Sequence, residues 1–227
     1  MPRKIQLSEA PPRIQLKILS SECIGDDIYI VRLSQPKASW VPGDCIAVYG
    51  PNQSPISRPY SLSGSIKASY LELWVRRFED GEISNYLCGL RAGDSLEISP
   101  PFGWFRPVEP EGAGKIYFAT GTGIAPFLSA IRSGSSSSVQ IFWGLRHPVE
   151  LTDPFPVRRF LSKSTDPQYE NGRVTRILDE VVYSENTHFY ACGLDRMIEE
   201  VLGYFSSKGV DESRLHRECF FTGSAAR

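Results

Sequence analysis

The sequence KIYFATGTGIAP, residues 115–126, carries the clearest fold signal in the chain. Its first part, residues 115–119, is a mostly apolar run that is typical of a buried parallel strand. Two glycines then allow a tight turn, and the apolar residues from about 125 to 132 have helical spacing. A strand, a glycine turn and a helix in this order predict the first unit of a parallel α/β sheet.

The residues that follow continue the alternation of strands and helices. Apolar runs at 139–143 and 187–191 predict two further strands. Residues 176–183 and 195–206 have helical spacing. The C-terminal half is therefore predicted to form a right-handed βαβ sheet with helices on its faces.

The first hundred residues have a different pattern. Polar and apolar side chains alternate in several short runs that are separated by turn residues. The runs are residues 13–19, 27–33, 70–76 and 94–99. About six short strands at this spacing predict an antiparallel barrel, and residues 84–90 are predicted to add one short helix.

Residues 100–114 are rich in proline and glycine and predict the link between two domains. We place a barrel domain at 1–107 and an α/β domain at 108–227. The chain has 227 residues, of which 41% are hydrophobic and 22% charged, as in ordinary globular proteins. Its formal net charge of -1 gives no electrostatic reason to expect nucleic acid as a partner.

The sequence carries no targeting segment and no cysteine motif of a metal site. No apolar run is long enough for a transmembrane helix, and residues 1–12 contain no apolar segment of the kind that a secretory signal has. The five cysteines form no CxxC pair, so neither an iron–sulfur cluster nor another metal site is expected. Free thiols in a reducing cytoplasm are the expected state.

The tetrapeptide Arg58-Pro59-Tyr60-Ser61 lies at the predicted start of a barrel strand. Tyrosine offers a flat aromatic face with a polar tip, which suits stacking against a planar ring system such as a flavin. Serine adds a small donor and acceptor, and arginine adds a fork for phosphate. The tetrapeptide indicates a flavin site, and a turn that leads into a strand accounts for it about as well.

A second motif lies at Gly81, Ile83 and Ser84, where the short helix is predicted to begin. Glycine permits a close approach to the backbone, and Ser84 is predicted to be the N-cap of the helix. The backbone N–H groups at such an N-terminus form an anion site that suits a diphosphate. A capped helix without a ligand is the alternative.

The opening stretch carries a third motif in its glycine turn, made by Thr120, Gly121, Thr122 and Gly123, with Pro126 in the first turn of the helix. Backbone amides in such a turn can face a phosphate. The spacing differs from the GxGxxG fingerprint, and the acidic residue that usually binds the ribose is missing. We predict a dinucleotide loop here, with a plain strand-to-helix turn as the alternative.

The fourth motif is Cys192-Gly193, at the predicted end of a late strand. Ligands of open α/β sheets bind beyond the carboxyl ends of the strands, so a cysteine there can lie over a pocket. Taken alone, packing of a small apolar residue accounts for it better.

In this order and spacing, the four motifs resemble those of the ferredoxin–NADP reductase superfamily, and the likeness extends from about residue 13 to 221. The resemblance implies an N-terminal flavin-binding β-barrel and a C-terminal parallel-sheet α/β domain that binds a nicotinamide nucleotide. It implies FAD and NAD(P)H as cofactors, without an iron–sulfur domain. The residues implied to bind them are Arg58, Pro59, Tyr60, Ser61, Gly81, Ile83, Ser84, Thr120, Gly121, Thr122, Gly123, Pro126, Cys192, Gly193 and Phe220. The residues implied to act in catalysis are Ser61, Cys192 and Glu218.

The same resemblance implies a mechanism in which a hydride passes from nicotinamide C4 to flavin N5. Tyr60 would hold the flavin face and Ser61 would tune N5. Cys192 would position the nicotinamide, and Glu218 would relay a proton. Because no cysteine cluster is present, the acceptor is expected to be separate: a ferredoxin, a flavodoxin, an oxygenase component or free flavin.

Two alternative functions stay open. One is a flavin reductase that uses flavin as a diffusing substrate, and the second anion site at Gly81 and Ser84 argues against it. The other is a non-catalytic electron-transfer subunit or flavin-binding sensor of a larger complex, and the intact nucleotide and Cys192-Gly193 motifs argue against that.

The chain departs from the family pattern between residues 144 and 175, where most of a helix is missing and Asp153-Pro154-Phe155-Pro156 stands in its place. This region separates NADPH from NADH in the family. Ser162, Lys163 and Arg173 either contact a 2′-phosphate or are solvated charges and polar groups at a strand end.

Overall fold

The computed structural model describes residues 12–52, 54–134, 139–150 and 157–221, with Phe221 described by its backbone alone. Within these ranges the chain forms two six-stranded sheets, the first antiparallel and the second parallel. This confirms the fold class predicted from the sequence. Asp153–Pro156, where the sequence departs from the family pattern, lies outside the described residues.

The antiparallel sheet closes into a barrel. Its strands are β1 (Ile14–Gly25), β2 (Ile28–Ser34), β3 (Cys45–Tyr49), β4 (Ser57–Ser61), β5 (Tyr70–Arg76) and β6 (Ser95–Ile98). They are ordered β4-β3-β6-β1-β2-β5. A bridge between Leu62 and Leu73 joins the two edge strands, and the Ser63 N–H donates to the Glu72 carbonyl at 2.9 Å. The closure leaves few unpaired backbone groups at the sheet edges.

The barrel core comes from the strand alternation predicted from the sequence. Leu71, Leu73 and Val75 on β5 are buried in it. Helix α1 (Glu82–Gly89) adds Ile83 and Leu87 to the same core. Burying an aliphatic side chain of this size contributes about 1.5–3 kcal/mol, so the core stabilises the barrel and fixes α1 against it.

The parallel sheet has the strand order β10-β9-β8-β7-β11-β12. Its strands are β7 (Gly114–Thr120), β8 (Val139–Leu145), β9 (Val157–Leu161), β10 (Glu170–Asn171), β11 (Thr187–Leu194) and β12 (Leu215–Phe221). From β7 the chain first adds strands on one side and then returns to add β11 and β12 on the other. The gap between the carboxyl ends of β7 and β11 is thus a topological switch point, where open sheets bind ligands.

Helices cover the two faces of this sheet. Helix α2 (Ala125–Arg132) stacks Phe127 on Tyr117 with ring centroids 4.4 Å apart, on the face that also receives Phe105 from the end of the barrel domain. Helix α3 (Asp195–Ser207) and the 3₁₀ helix Val174–Glu180 cover the other face. The first face is therefore the one against which the barrel packs.

A buried carboxylate ties α2 to the barrel. Glu72 on β5 accepts from Arg132 at the end of α2 at 2.5 Å and from Arg32 on β2 at 3.0 Å. The Trp74 indole and the Ser63 hydroxyl also donate to it, at 3.2 and 3.1 Å. A buried carboxylate is stable only with such partners, so this network fixes the position of α2 relative to the barrel.

Several element boundaries differ from the predictions. The short helix begins at Glu82 rather than Ser84, and the helix predicted at 176–183 is the 3₁₀ helix Val174–Glu180. Strands β9, β10 and β12 were not predicted, because adjacent charges in β9 and the polar residues of β12 obscure the apolar pattern. The domain boundary between residues 107 and 108 falls between the two sheets and stays a prediction. Among the described residues, no helix combines the length and apolarity needed to cross a membrane.

Candidate cofactor-binding and catalytic site

Strand β4 carries the predicted flavin tetrapeptide and turns its side chains to different surroundings. Arg58 and Pro59 are exposed, and Arg58 Nη1 donates to the neighbouring Ser57 carbonyl at 2.9 Å. Tyr60 is half-buried against the barrel core, and burial raises the pKa of its phenol. Ser61 is buried at the end of the strand. A cation, an aromatic ring and a hydroxyl therefore follow one another along β4.

The prediction that Ser84 is the N-cap of α1 is wrong. The N-cap is Gly81, and the Ser84 hydroxyl lies inside the first turn. It accepts from the Phe78 N–H at 3.2 Å and donates to the Gly81 carbonyl at 3.1 Å, so its hydrogen bonds stay within the preceding loop. Because glycine has no capping side chain, the first-turn N–H groups can serve an anion. Ile83 is buried, so its backbone is the part that can face a ligand.

Ser61 and Glu218 bring the two domains together. The Ser61 hydroxyl lies 3.5 Å from Glu218 Oε2, at the long end of the hydrogen-bond range. Burial raises the pKa of the Glu218 carboxyl to about 7, against smaller lowering effects from Ser61 and Arg106. Cys45, which pairs with Ser61 in the barrel ladder, is also buried, and burial raises the pKa of its thiol to about 12. Glu218 can therefore hold or release a proton near neutral pH.

The glycine turn after β7 is a 3₁₀ turn, Gly121–Ile124, that runs directly into α2. Gly121 has φ +52, a conformation that glycine adopts without penalty. Thr122 is buried, and the Trp143 indole donates to the Gly121 carbonyl at 2.8 Å. Pro126 is in the first turn of α2, as predicted.

This turn is packed directly against the Cys192-Gly193 pair. A Cβ added to Gly123 would lie 2.4 Å from the Cys192 carbonyl oxygen, and one added to Gly193 would lie 2.3 Å from Thr120 Oγ1. The Leu194 N–H donates to Thr120 Oγ1 at 2.9 Å. The two motifs, far apart in sequence, thus form one structural unit at the switch point of the sheet.

The Cys192 side chain is completely buried. Burial raises the pKa of its thiol well above the usual value, and the nearby Glu218 carboxylate raises it further. A thiol of this kind is a poor nucleophile. Cys192 pairs with Glu218 in the β11–β12 ladder, and Phe220, on the same strand as Glu218, packs half-buried against the core shared by α2 and β11.

A pocket of about 370 Å³ opens beside this unit, at the carboxyl ends of the parallel strands. Thr120 and Gly121 line it from the glycine turn, and Leu194 lines it from the end of β11. Its charged lining residues are Arg76, Arg146, Lys163, Arg173, Arg196, Asp195 and Glu200. The excess of cations over carboxylates suits an anionic ligand. Ser162 and Lys163, with Arg173 from further along the chain, line this same pocket.

Sequence reasoning missed several residues of the site, and three of them show why. Arg76, at the end of β5, is a barrel residue that lines the pocket of the other domain. Asp26, in the turn between β1 and β2, pairs with Arg76 at 2.5 Å. Arg106, which pairs with Asp44 at 3.1 Å, lowers the pKa of Glu218. Their positions depend on how the two domains pack, which no local pattern indicates.

The residues present fit FAD and a nicotinamide dinucleotide. Along β4 and at the start of α1, the barrel offers an aromatic ring, a cation and helix N–H groups, the chemistry that a flavin ring and a diphosphate require. The sheet domain offers the glycine turn and the cationic pocket. Ser61 and Glu218 lie where the two halves meet. Among the described residues, no group of three or more metal-ligating side chains is present.

Comparison with known proteins agrees with this description. Residues 15–106 match the family model of the oxidoreductase FAD-binding domain. The reductase subunit of an aromatic O-demethylase from Amycolatopsis sp. is 30% identical over 190 residues, which are 74% of this chain and 57% of that protein. The chain thus spans less than two thirds of that relative's length. Reductase component 2 of terephthalate 1,2-dioxygenase from Comamonas sp. is 26% identical over 238 residues, 95% of this chain and 70% of the relative.

Among solved structures, a ferredoxin NADP+ reductase from Neisseria gonorrhoeae with bound FAD and NADP matches with a TM-score of 0.81. It is 21% identical, and the match covers 94% of this chain and all of that one, which shows the shared fold. Fold and site define an FAD-binding barrel joined to a parallel-sheet α/β domain. In its fold, and in the match of its barrel to the FAD-binding family model, the chain is similar to ferredoxin–NADP reductases.

Proposed function

We propose that this chain is a flavoprotein oxidoreductase that passes electrons from NAD(P)H through bound FAD to a separate acceptor. The observation that carries the proposal is the approach of Ser61, from the barrel, to Glu218, from the parallel sheet, at 3.5 Å. Cys192 pairs with Glu218 in the neighbouring strand, and the glycine turn packs on Cys192. Residues proposed to serve the flavin thus lie next to residues proposed to serve the nicotinamide, which supports transfer between two cofactors.

On the barrel side, Tyr60 would hold one face of the flavin ring, and Pro59 would support the strand beside it. Arg58 is exposed, so its guanidinium can leave the Ser57 carbonyl and bind a flavin phosphate. The backbone N–H groups of Ile83 and Ser84 would bind the diphosphate, and Gly81 would let it come close to the backbone. Bound FAD supplies the redox chemistry, because it accepts two electrons as a hydride and releases them singly or in pairs.

On the sheet side, the cationic pocket would hold the dinucleotide. Thr120 and Gly121 line this pocket and would contact the phosphates of the dinucleotide. The other residues proposed for the nucleotide side are buried next to them and would shape the phosphate and nicotinamide ends: Thr122, Gly123, Pro126, Cys192 and Gly193. Buried as a neutral thiol, Cys192 would set the position of the nicotinamide rather than react with it. Phe220 would cover the flavin where the barrel meets the sheet domain.

Ser61 and Glu218 would control proton transfer where the barrel meets the sheet domain. With a pKa of about 7, Glu218 is partly protonated at neutral pH and can exchange a proton with Ser61 or with solvent. Ser61 would hold its hydroxyl toward the flavin N5 position. These roles make Ser61, Cys192 and Glu218 the residues closest to the transfer.

The acceptor would be a ferredoxin, a flavodoxin or an oxygenase component. Two relatives are named as reductase parts of an O-demethylase and of a dioxygenase, which supports a separate oxygenase system as the recipient. Cys23, Cys45, Cys88 and Cys192 are free thiols, which agrees with a reducing compartment such as the cytoplasm.

The test is to purify the protein, release its flavin with acid, and identify it by chromatography. Anaerobic mixing with NADH and with NADPH should then bleach the flavin absorbance, and a one-electron dye should restore it. Colourless protein that oxidises NAD(P)H only with added flavin would instead show a reductase of diffusible flavin. Yellow protein that neither nucleotide bleaches would show a non-catalytic subunit.

A further inference from the structure

The turn between β1 and β2 reaches out of the barrel and is docked on the sheet domain. The Glu150 N–H donates to the Ile24 carbonyl at 2.7 Å. A Cβ added to Gly25 would lie 2.7 Å from the Pro148 carbonyl oxygen. Asp26 then adopts φ +50, which is uncommon for a residue with a side chain. The chain accepts this backbone conformation at a contact between domains, beside the cationic pocket.

The Asp26 carboxylate is buried by this contact and holds two groups of the pocket. Its Oδ2 accepts from Arg76 Nη2 at 2.5 Å and from the Arg146 N–H at 3.4 Å. The exposed fractions of the two ion-pair side chains are 4% for Asp26 and 14% for Arg76. A Cβ placed on Gly121 would lie 3.6 Å from Arg76 Nη2, so the guanidinium rests against the glycine turn. Asp26 therefore determines where the Arg76 guanidinium lies.

We propose that Asp26 is a positioning residue for the nicotinamide dinucleotide, acting by fixing the Arg76 guanidinium at the pocket wall beside Gly121. This inference rests on the proposed binding of the dinucleotide in that pocket. A guanidinium has five N–H donors in a rigid fork, so the pair with Asp26 can coexist with bonds to a diphosphate. Because the side chain is ordered in advance, binding loses less entropy.

The neighbouring residue provides a matched control. Asp27 has φ +54 in the same turn and pairs with Arg77 at 2.9 Å. Both members of that pair are largely exposed, and neither lines the pocket. Asp26→Asn and Asp27→Asn thus make the same chemical change in adjacent residues, and only the first alters a group that contacts the pocket.

The experiment compares steady-state kinetics of the two FAD-loaded variants with NADH and with NADPH, using a one-electron dye as acceptor. A neutral hydrogen bond is about half as strong as a charge-assisted one, so Asp26→Asn should raise KM about tenfold. Its kcat at saturation and its flavin content should stay within about twofold of the wild type, because only nucleotide binding is altered. Asp27→Asn should change neither constant. An unchanged or lowered KM in Asp26→Asn, which would mean that Asp26 only neutralises Arg76, overturns the inference.

A double-variant cycle tests whether Asp26 acts through Arg76. In an Arg76→Ala background, Asp26→Asn should add little to KM, whereas additive effects would contradict the proposal. If Asp26→Asn does not retain FAD, Arg76→Lys carries the test, since it keeps both charges and removes the fork. A wild-type KM in that variant would overturn the inference. Absence of flavin reduction in the wild type would overturn the proposed function, whereas normal wild-type reduction with a normal Asp26→Asn would overturn this inference alone.

Discussion

Two turns that lead into helices were predicted to bind phosphates, and the structure builds them differently. The turn before α1 is held by hydrogen bonds among residues 78–85, with the Ser84 hydroxyl as its centre. The turn before α2 is held by a distant segment, because Gly123 packs on Cys192 and Thr120 accepts from Leu194. The first turn is therefore local to the barrel, and the second is coupled to the strand that ends at the proposed nicotinamide site.

This difference indicates how each site should respond to change. An altered side chain near α1 should affect flavin retention and leave the sheet domain intact. An altered turn before α2 should displace Cys192 and Gly193, which pack against it. Variants at the two turns should separate flavin binding from flavin reduction.

The largest effect is expected from Gly123→Ala. The added Cβ would meet the Cys192 carbonyl oxygen at 2.4 Å and Gly193 Cα at 2.7 Å, and backbone cannot rotate away as a side chain can. A displacement of about 1 Å near reacting groups costs about a hundredfold in rate. Stopped-flow reduction of the flavin by NAD(P)H should slow by at least about that factor, while FAD content is retained.

Gly203→Ala provides the control for this change. Gly203 lies within α3, and a Cβ there would meet nothing within 4 Å. Alanine in a helix interior should stabilise the protein by about 0.5–1 kcal/mol and leave the reduction rate unchanged. Loss of FAD in Gly123→Ala would contradict the independence of the two turns.

The turn before α2 also shows which features could be predicted from the sequence. The apolar run, the glycines and Pro126 predicted the strand, the turn and helix α2, because those signals are local. The contact of Gly123 with Cys192 could not be predicted from pattern, since it depends on β11 lying beside β7. The same holds for Arg76 and Asp26, whose barrel segments gave no indication that they reach the other domain. The Ser84 prediction failed because several polar side chains near a helix start compete for the same backbone groups.

A second, somewhat smaller effect is expected where the two regions meet, at Glu218. Its folded pKa of about 7 lies above the ordinary 4.5, so the folded protein binds this proton more tightly than the unfolded chain. The resulting stabilisation is complete below pH 4.5 and is lost as the pH rises through about 7. In wild-type protein the loss should be about 2–3 kcal/mol, and Glu218→Gln should lack it.

Thermal unfolding of the FAD-loaded proteins between pH 4.5 and 8.5 measures this difference. The stability of the wild type relative to Glu218→Gln should fall across that range. Glu199→Gln, an exposed change on α3, should leave the pH dependence as in the wild type. A constant offset between wild type and Glu218→Gln would mean that folding leaves the pKa of this carboxyl unchanged.

On the barrel side, at strand β4, we expect Arg58→Ala to weaken flavin binding. A hydrogen bond to a charged phosphate contributes about 1.5–3 kcal/mol, so FAD should be lost on dialysis while the fold survives. Arg91→Ala, which removes another exposed barrel arginine, should retain the flavin. Circular dichroism checks that the fold survives, and the flavin-to-protein absorbance ratio checks that FAD is lost. Full retention in Arg58→Ala would identify Arg58 as a surface charge at the strand, held by the Ser57 carbonyl.

The smallest effect is expected for Lys163→Ala, in the wall of the cationic pocket beside the turn before α2. The Lys163 N–H donates to the Arg146 carbonyl at 3.1 Å, which places its exposed side chain in the pocket wall beside another cation. If this wall holds a 2′-phosphate, the substitution should raise KM for NADPH and leave KM for NADH unchanged. An exposed ion pair contributes at most about 1 kcal/mol, so the expected change is about fivefold. Lys208→Ala, an exposed change after α3 and outside the pocket, should alter neither constant. Equal increases for both nucleotides would indicate a general attraction for the dinucleotide. No change with either nucleotide would show that Lys163 is a solvated charge at a strand end. The cationic pocket would then select its nucleotide through residues closer to the glycine turn.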